Sequence, residues 1–211
     1  MHERLLVIAC GALGREISAL KRIYGWDHLQ LRCLDPLLHN RPGEIPGVLE
    51  RELNEHRGRF DRVFVAYADC GTGGEIDRVL TAEGIEGERL PGAHCYEFFA
   101  GGARFAALST AEPGTFYLTD FLARNFDRLV LRPLGLVEHP ELRDVYFGHY
   151  RRLVLLSQTQ DESVQKAAER AAAVLELQFE HVHCGYGDLE AELVALNTAD
   201  NDAEEDHYLL A

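Results

Sequence analysis

Cysteine is the residue whose placement in this chain points to chemistry. Cys10 and Cys70 lie in two related segments, ACGALGREI and DCGTGGEI, which share Cys-Gly-x-x-Gly and a trailing Glu-Ile. Cys95 lies in GAHCYEFF, beside His94 and close to Glu97. Thiolates are soft ligands. Three of them with a fourth position open suit an iron–sulfur cluster of the 4Fe-4S type with a labile iron, or a catalytic zinc with one exchangeable site. Cys10, Cys70 and Cys95 are therefore the candidate metal ligands. His94, Asp69 and Glu97 are the candidate catalytic groups, able to orient ligands or move protons. Their spacing matches no compact CxxC motif, so a plainer reading stands beside it, in which the cysteines are small buried residues near turns. A metal-free thiol enzyme is a further reading, with Cys70 or Cys95 as nucleophile and His94 as base.

The glycines after these cysteines allow a second kind of binding. Gly11, Gly71, Thr72 and Gly73 form strand-to-helix turns whose backbone N–H groups can cradle a cofactor or phosphate. No Lys-Ser/Thr follows GTGG, and CGALG is not GxGxxG, so nucleotide binding is the weaker reading. The later HCGYGDLE places Cys184 in a looser echo of the same turn, and Cys33 falls inside LRCLD, where burial explains it.

The elements that must position these residues alternate. Strand-like runs at 4–10, 29–35, 62–68, 151–159 and 178–184 are separated by helix-like runs, including 11–25, 161–177 and 188–196. Residues 91–150 carry most of the aromatics and lack clean strand alternation. They read as a helical and loop insertion, with helices near 117–130 and 140–149. The pattern predicts an α/β fold: a parallel, Rossmann-like sheet flanked by helices on both faces, in a single domain over 1–196 with an acidic tail over 197–211. Ligands of such sheets bind beyond the carboxyl ends of the strands. The cysteines fall at those ends, where a following helix N-terminus is expected to lower a thiol pKa.

Bulk properties narrow the partners. The 211 residues carry a net charge of -14, which disfavours nucleic acid and anionic membrane surfaces. Part of that charge lies in ADNDAEEDH, read as a solvated terminus. No apolar run is long enough to span a bilayer. The N-terminal LLVIA leads into a glycine turn and reads as a strand rather than a secretion signal, which places the protein in the cytoplasm.

Six segments in order (IACGALGREI, YADCGTGG, HCYEFFAG, EPGTFYLTDFL, HPELRDVYFGHY and GYGDLE) resemble domain-of-unknown-function family 1638 over roughly residues 4–190. The resemblance implies motif cysteines at Cys10, Cys70 and Cys95, with Cys33 and Cys184 outside the pattern. It also implies a genomic setting beside corrinoid methyltransferases for methylated amines, and gives no reaction. The resulting expectation is a lyase or transferase using a thiolate-bound metal on a small polar substrate, in one-carbon, methylated-amine or sulfur metabolism. The alternative is an accessory protein that binds a metal or corrinoid for a methyltransferase partner.

Overall fold

The computed structural model describes residues 4–85 and 89–208, with the side chains of the last helix described as far as Thr198. The chain divides into two compact units, one of Met1–Cys95 with Asp188–Ala211, the other of Tyr96–Gly187. Each holds a three-stranded sheet whose strands are all parallel. With helices packed against the sheets, this is the Rossmann-like α/β architecture read from the sequence, with the strands divided between two sheets.

In the first unit the order is β1 (Leu5–Cys10), α1 (Gly14–Tyr24), β2 (Leu29–Leu34), α2 (Ile45–His56), β3 (Arg62–Ala66) and α3 (Glu75–Glu83). β1 is the central strand, between β2 and β3. Its run of apolar residues is buried on both faces, as a central parallel strand requires. α2 and α3 lay Ile45, Leu49, Leu53, Ile76 and Leu80 against Leu6, Ile8, Leu34, Val65 and Tyr67. α1 buries Ile17 and Leu20 and stops at Gly25, whose left-handed φ of 68° lets its N–H return to the Lys21 carbonyl. The chain passes from β1 to β2 on one side and then to β3 on the other. The direction of winding therefore reverses between β1 and β3, which makes the crevice at their carboxyl ends the place where such sheets bind ligands.

The second unit follows α4 (Cys95–Ala100) with α5 (Gly102–Ala111), β4 (Thr115–Thr119), α6 (Asp120–Arg124), α7 (Arg143–Phe147), β5 (Arg152–Ser157), α8 (Glu162–Leu175) and β6 (Gln178–His183). β5 is central and almost wholly buried. β4 lies inside the segment read as helices and loops. The helix expected near 117–130 starts only at Asp120, as α6 and a π-helical turn at Asp127–Leu131, and its first residues belong to this strand. The five residues TFYLT are too short to show alternation, and Thr119 passes directly from strand to helix cap by accepting the Leu122 N–H.

The last helix, α9 (Asp188–Tyr208), returns to the first unit and buries Leu189, Leu193 and Leu196. The solvated acidic run expected at 199–207 concerns side chains outside the described residues. No described helix is long and apolar enough to cross a membrane.

Candidate functional site

Cys10 ends β1. The chain can turn directly after it because residue 11 is glycine: a Cβ there would stand 2.6 Å from the Leu34 carbonyl oxygen and 2.8 Å from Pro36 Cδ. β3 is followed by Tyr67, Ala68 and Asp69, and then by Cys70 at φ 51°. Gly71, Gly73 and Gly74 are also left-handed. A non-glycine residue in this region costs roughly 1–2 kcal/mol, so strain is placed on a thiol-bearing residue between strand and helix.

Asp69 holds the turn in shape. Its carboxylate accepts the N–H groups of Gly74 at 2.7 Å and Gly73 at 3.2 Å and the Thr72 hydroxyl at 3.1 Å. The Gly74 N–H is the main reason its carboxyl is held below the ordinary carboxylate range. Thr72 also donates to the Asp69 carbonyl at 2.8 Å. Asp69, Thr72, Gly71 and Gly73 thus form one self-bonded turn, and Asp69 acts on Cys70 by fixing the backbone around it.

The same strand end holds a second loop. Asp69 N–H donates to the Gly92 carbonyl at 3.0 Å and Cys70 N–H to the Ala93 carbonyl at 2.9 Å. His94 and half-buried Cys95 follow immediately, so the backbone carries the Cys95 segment to the edge that holds Cys70. His94 lies near enough to His39 that its charge adds to the burial that lowers the His39 pKa. Glu97 sits in the first turn of α4, where a Cβ on Gly102 would stand 3.7 Å from its Oε1.

Tyr67 lies behind the thiols. It is 1% exposed, and its Oη meets no partner in hydrogen-bond geometry. The Cys10 thiol is the neighbour with which it would pair, and Cys70 is also within electrostatic range. Register places Cys10, Leu34 and the residue after Ala66 on the face covered by α2 and α3. Cys33 is level with Ala9, one residue out of step, and is exposed rather than buried as expected; its Sγ would stand 2.9 Å from a Cβ on Gly14.

Burial pushes the Cys10 thiol pKa up, against the Ala12 N–H, which lowers it. Burial and then the neighbouring Cys10 push Cys70 up to about 12. Burial likewise raises Tyr67, with charge on Cys10 adding to it. The expectation that helix N-termini would lower these thiol values is therefore overturned, because desolvation outweighs the backbone N–H groups. At neutral pH both thiols keep their protons, and a nearby cation is what would stabilise them as thiolates.

Among the described residues no three His, Cys, Asp or Glu side chains form a preformed metal-ligand set. The fold brings the segments of Cys10, Cys70 and Cys95 to one rim without closing them into such a set. Cys184 directly follows β6 of the other sheet, donates to the Val182 carbonyl at 3.6 Å and packs against the Tyr117 cluster.

The second unit holds two further polar groupings. Asp120, fully buried, accepts the N–H groups of Gln158 at 3.0 Å and Thr159 at 3.1 Å and the Thr159 hydroxyl at 2.5 Å, while Gln158 Oε1 accepts the Asp120 N–H at 2.9 Å. This pairing clamps the ends of β4 and β5 together. Ser157 Oγ lies 2.8 Å from His181 Nε2 and 3.1 Å from His183 Nδ1, on the wall of a cleft of about 210 Å³. The signal was present in HVH, since residues two apart on a strand share a face.

Comparison with curated proteins and with solved structures finds no match. A family model described as "Protein of unknown function (DUF1638)" matches residues 33–193, a stretch that holds Cys70, Cys95 and both polar groupings of the second unit and begins after Cys10. The chain belongs to the DUF1638 family.

Proposed function

We propose that the rim beyond β1 and β3 is a thiolate metal centre of an enzyme acting on a small polar substrate. One observation carries this reading: Cys10 and Cys70 stand at the reversal point of the first sheet, around the buried and unpartnered hydroxyl of Tyr67. An unsatisfied buried hydroxyl costs about 1–3 kcal/mol, a cost that a bound ligand would relieve. The left-handed Cys70 is a second cost concentrated at the same place.

The donor set is sulfur-rich, which suits iron–sulfur or zinc, with Cys95 as the third ligand on the apposed loop. When bound, such a centre supplies a Lewis acid with an open position. The chain's own groups have separate roles. Tyr67 donates a hydrogen bond to sulfur or to substrate, the Asp69 turn fixes the Cys70 backbone, and His94 carries a proton. A cytoplasmic lyase or transferase in one-carbon, methylated-amine or sulfur metabolism fits this chemistry. The net charge of -14 favours a second reading, an accessory protein docking on a corrinoid or methyltransferase protein.

The test is the iron, acid-labile sulfide and zinc content of protein purified without oxygen, compared with Cys70→Gly, which permits the left-handed turn and removes the thiol. The proposal expects stoichiometric metal in the wild type and its loss in the variant. Equal metal content in both would defeat it.

A further inference from the structure

We infer that Ser157, His181 and His183 form a separate binding site for a divalent transition-metal ion, within the second unit and independent of the thiols. His181 and His183 lie on one face of β6, two residues apart. Their ring nitrogens aim at a single atom, Ser157 Oγ, at 2.8 and 3.1 Å. Register fixes this arrangement, since Ser157 is the direct neighbour of His183 at the end of β5. Ser157 is 1% exposed, so the point of convergence is held by the buried central strand rather than by a mobile side chain.

The spacing is what an ion requires. Four ligands around zinc at bonds of 2.0–2.1 Å are about 3.3 Å apart, so the observed separations need to open by only a few tenths of an ångström. The hydroxyl can donate its single proton to only one of the two imidazoles, whereas a cation seated between the hydroxyl and the two rings would take a lone pair from each of the three groups. Two imidazoles are fewer than a complete protein ligand set, so water fills the remaining positions and the ion stays open to the cleft. That cleft is also lined by Thr159, Gln160, Asp161 and Gln165. Asp161 is already engaged, accepting the Ser163 N–H at 2.8 Å and pairing with Arg124 at 2.9 Å, and so leaves the coordination to the histidines. Nitrogen ligands select copper, nickel and zinc over magnesium and calcium.

Calorimetric titration with zinc tests the site. The wild type should show a saturable zinc event that survives Cys70→Gly and is lost in the His181→Ala, His183→Ala double variant. Both histidines are exposed, so this variant keeps the fold, which circular dichroism verifies. Ser157→Ala should weaken the event about tenfold or more, as removal of a group that orients metal ligands does. In the wild type, zinc should shift the ring nitrogen resonances of these two histidines in NMR spectra. Unchanged zinc binding in the double variant, or unmoved resonances at saturating zinc, overturns the inference. Loss of the event in Cys70→Gly assigns it to the thiols and overturns the inference as well.

Discussion

The backbone N–H of Cys70 donates to the Ala93 carbonyl at 2.9 Å, so the strand end that carries one thiol also holds the loop that carries the next. This bond explains how residues far apart in sequence come to share a rim. It also fixes Cys70 in its left-handed conformation, since the turn is tied on one side by Asp69 and on the other by residues 92 and 93.

That conformation makes a stability prediction with an unusual sign. Replacing cysteine by alanine is normally milder for the backbone than replacing it by glycine. At φ 51° the order reverses, and metal-free Cys70→Gly should be more stable than Cys70→Ala by about 1 kcal/mol. Urea denaturation of the two variants measures the difference. A more stable alanine variant would show that the turn carries no strain.

Tyr67→Phe removes a buried hydroxyl that has no partner. The metal-free variant should be as stable as the wild type or up to about 1 kcal/mol more stable, because an unsatisfied group is lost with little change in volume. Thermal melting decides this. A loss above about 1 kcal/mol would mean that the hydroxyl is already satisfied in the folded chain.

Thiol reactivity should depend on pH in the direction set by burial. With Cys70 pushed up to about 12, metal-free protein should react with iodoacetamide far more slowly at neutral pH than a free cysteine does. The rate at Cys70, followed by mass spectrometry, should keep climbing through the alkaline range. The folded value is raised, so the unfolded chain releases this proton first, and stability should fall as pH rises from the ordinary thiol range toward about 12. Rapid labelling of Cys70 at neutral pH without metal would instead favour a thiolate nucleophile.

Asp161 gives the opposite sign. It caps α8 through the Ser163 N–H and pairs with Arg124, and its pKa is lowered to about 2. A depressed carboxyl stabilises the fold above its unfolded value and loses that contribution as pH falls through the folded one. The melting temperature of Asp161→Ala should lie below that of the wild type at neutral pH, with the gap closing as pH falls from the ordinary carboxylate range toward about 2. A gap that does not change with pH would contradict the capping role.

Asp120→Asn should be the most damaging of the substitutions considered. The carboxylate accepts from Gln158, from Thr159 N–H and from the Thr159 hydroxyl, with no exposure to solvent. An amide turns one acceptor into a donor facing other donors, and a loss of about 3 kcal/mol is expected in chemical denaturation. A loss below about 1 kcal/mol would show that the clamp is not needed to join β4 to β5.

The sequence was informative where periodicity and punctuation agreed. The helix read at 11–25 is found at Gly14–Tyr24, and the one at 161–177 at Glu162–Leu175, because Gly25 and Asp161 mark an end and a start by local geometry. It was poor where a short strand met a cap, as at TFYLT followed by Asp120. The placement of Cys10 at a strand end was visible because Gly11 marks the turn, whereas β3 stops at Ala66 and leaves Cys70 four residues beyond it, in the glycine turn. The thiol pKa direction was not visible, because burial depends on α2 and α3 packing over the same face. The Tyr67 hydroxyl left no signal at all, since a tyrosine in an apolar strand reads as core. Ser157 with His183 could be seen only once β5 and β6 were known to be neighbours in register.

The central claim is that Cys10 and Cys70 can hold one metal together. X-ray absorption at the metal edge, on protein reconstituted without oxygen, tests it most directly. The claim predicts sulfur atoms in the first coordination sphere, with one replaced by oxygen in Cys10→Ser and the edge signal lost with the metal in Cys70→Gly. A sphere of nitrogen and oxygen alone, or one that neither substitution alters, would contradict it.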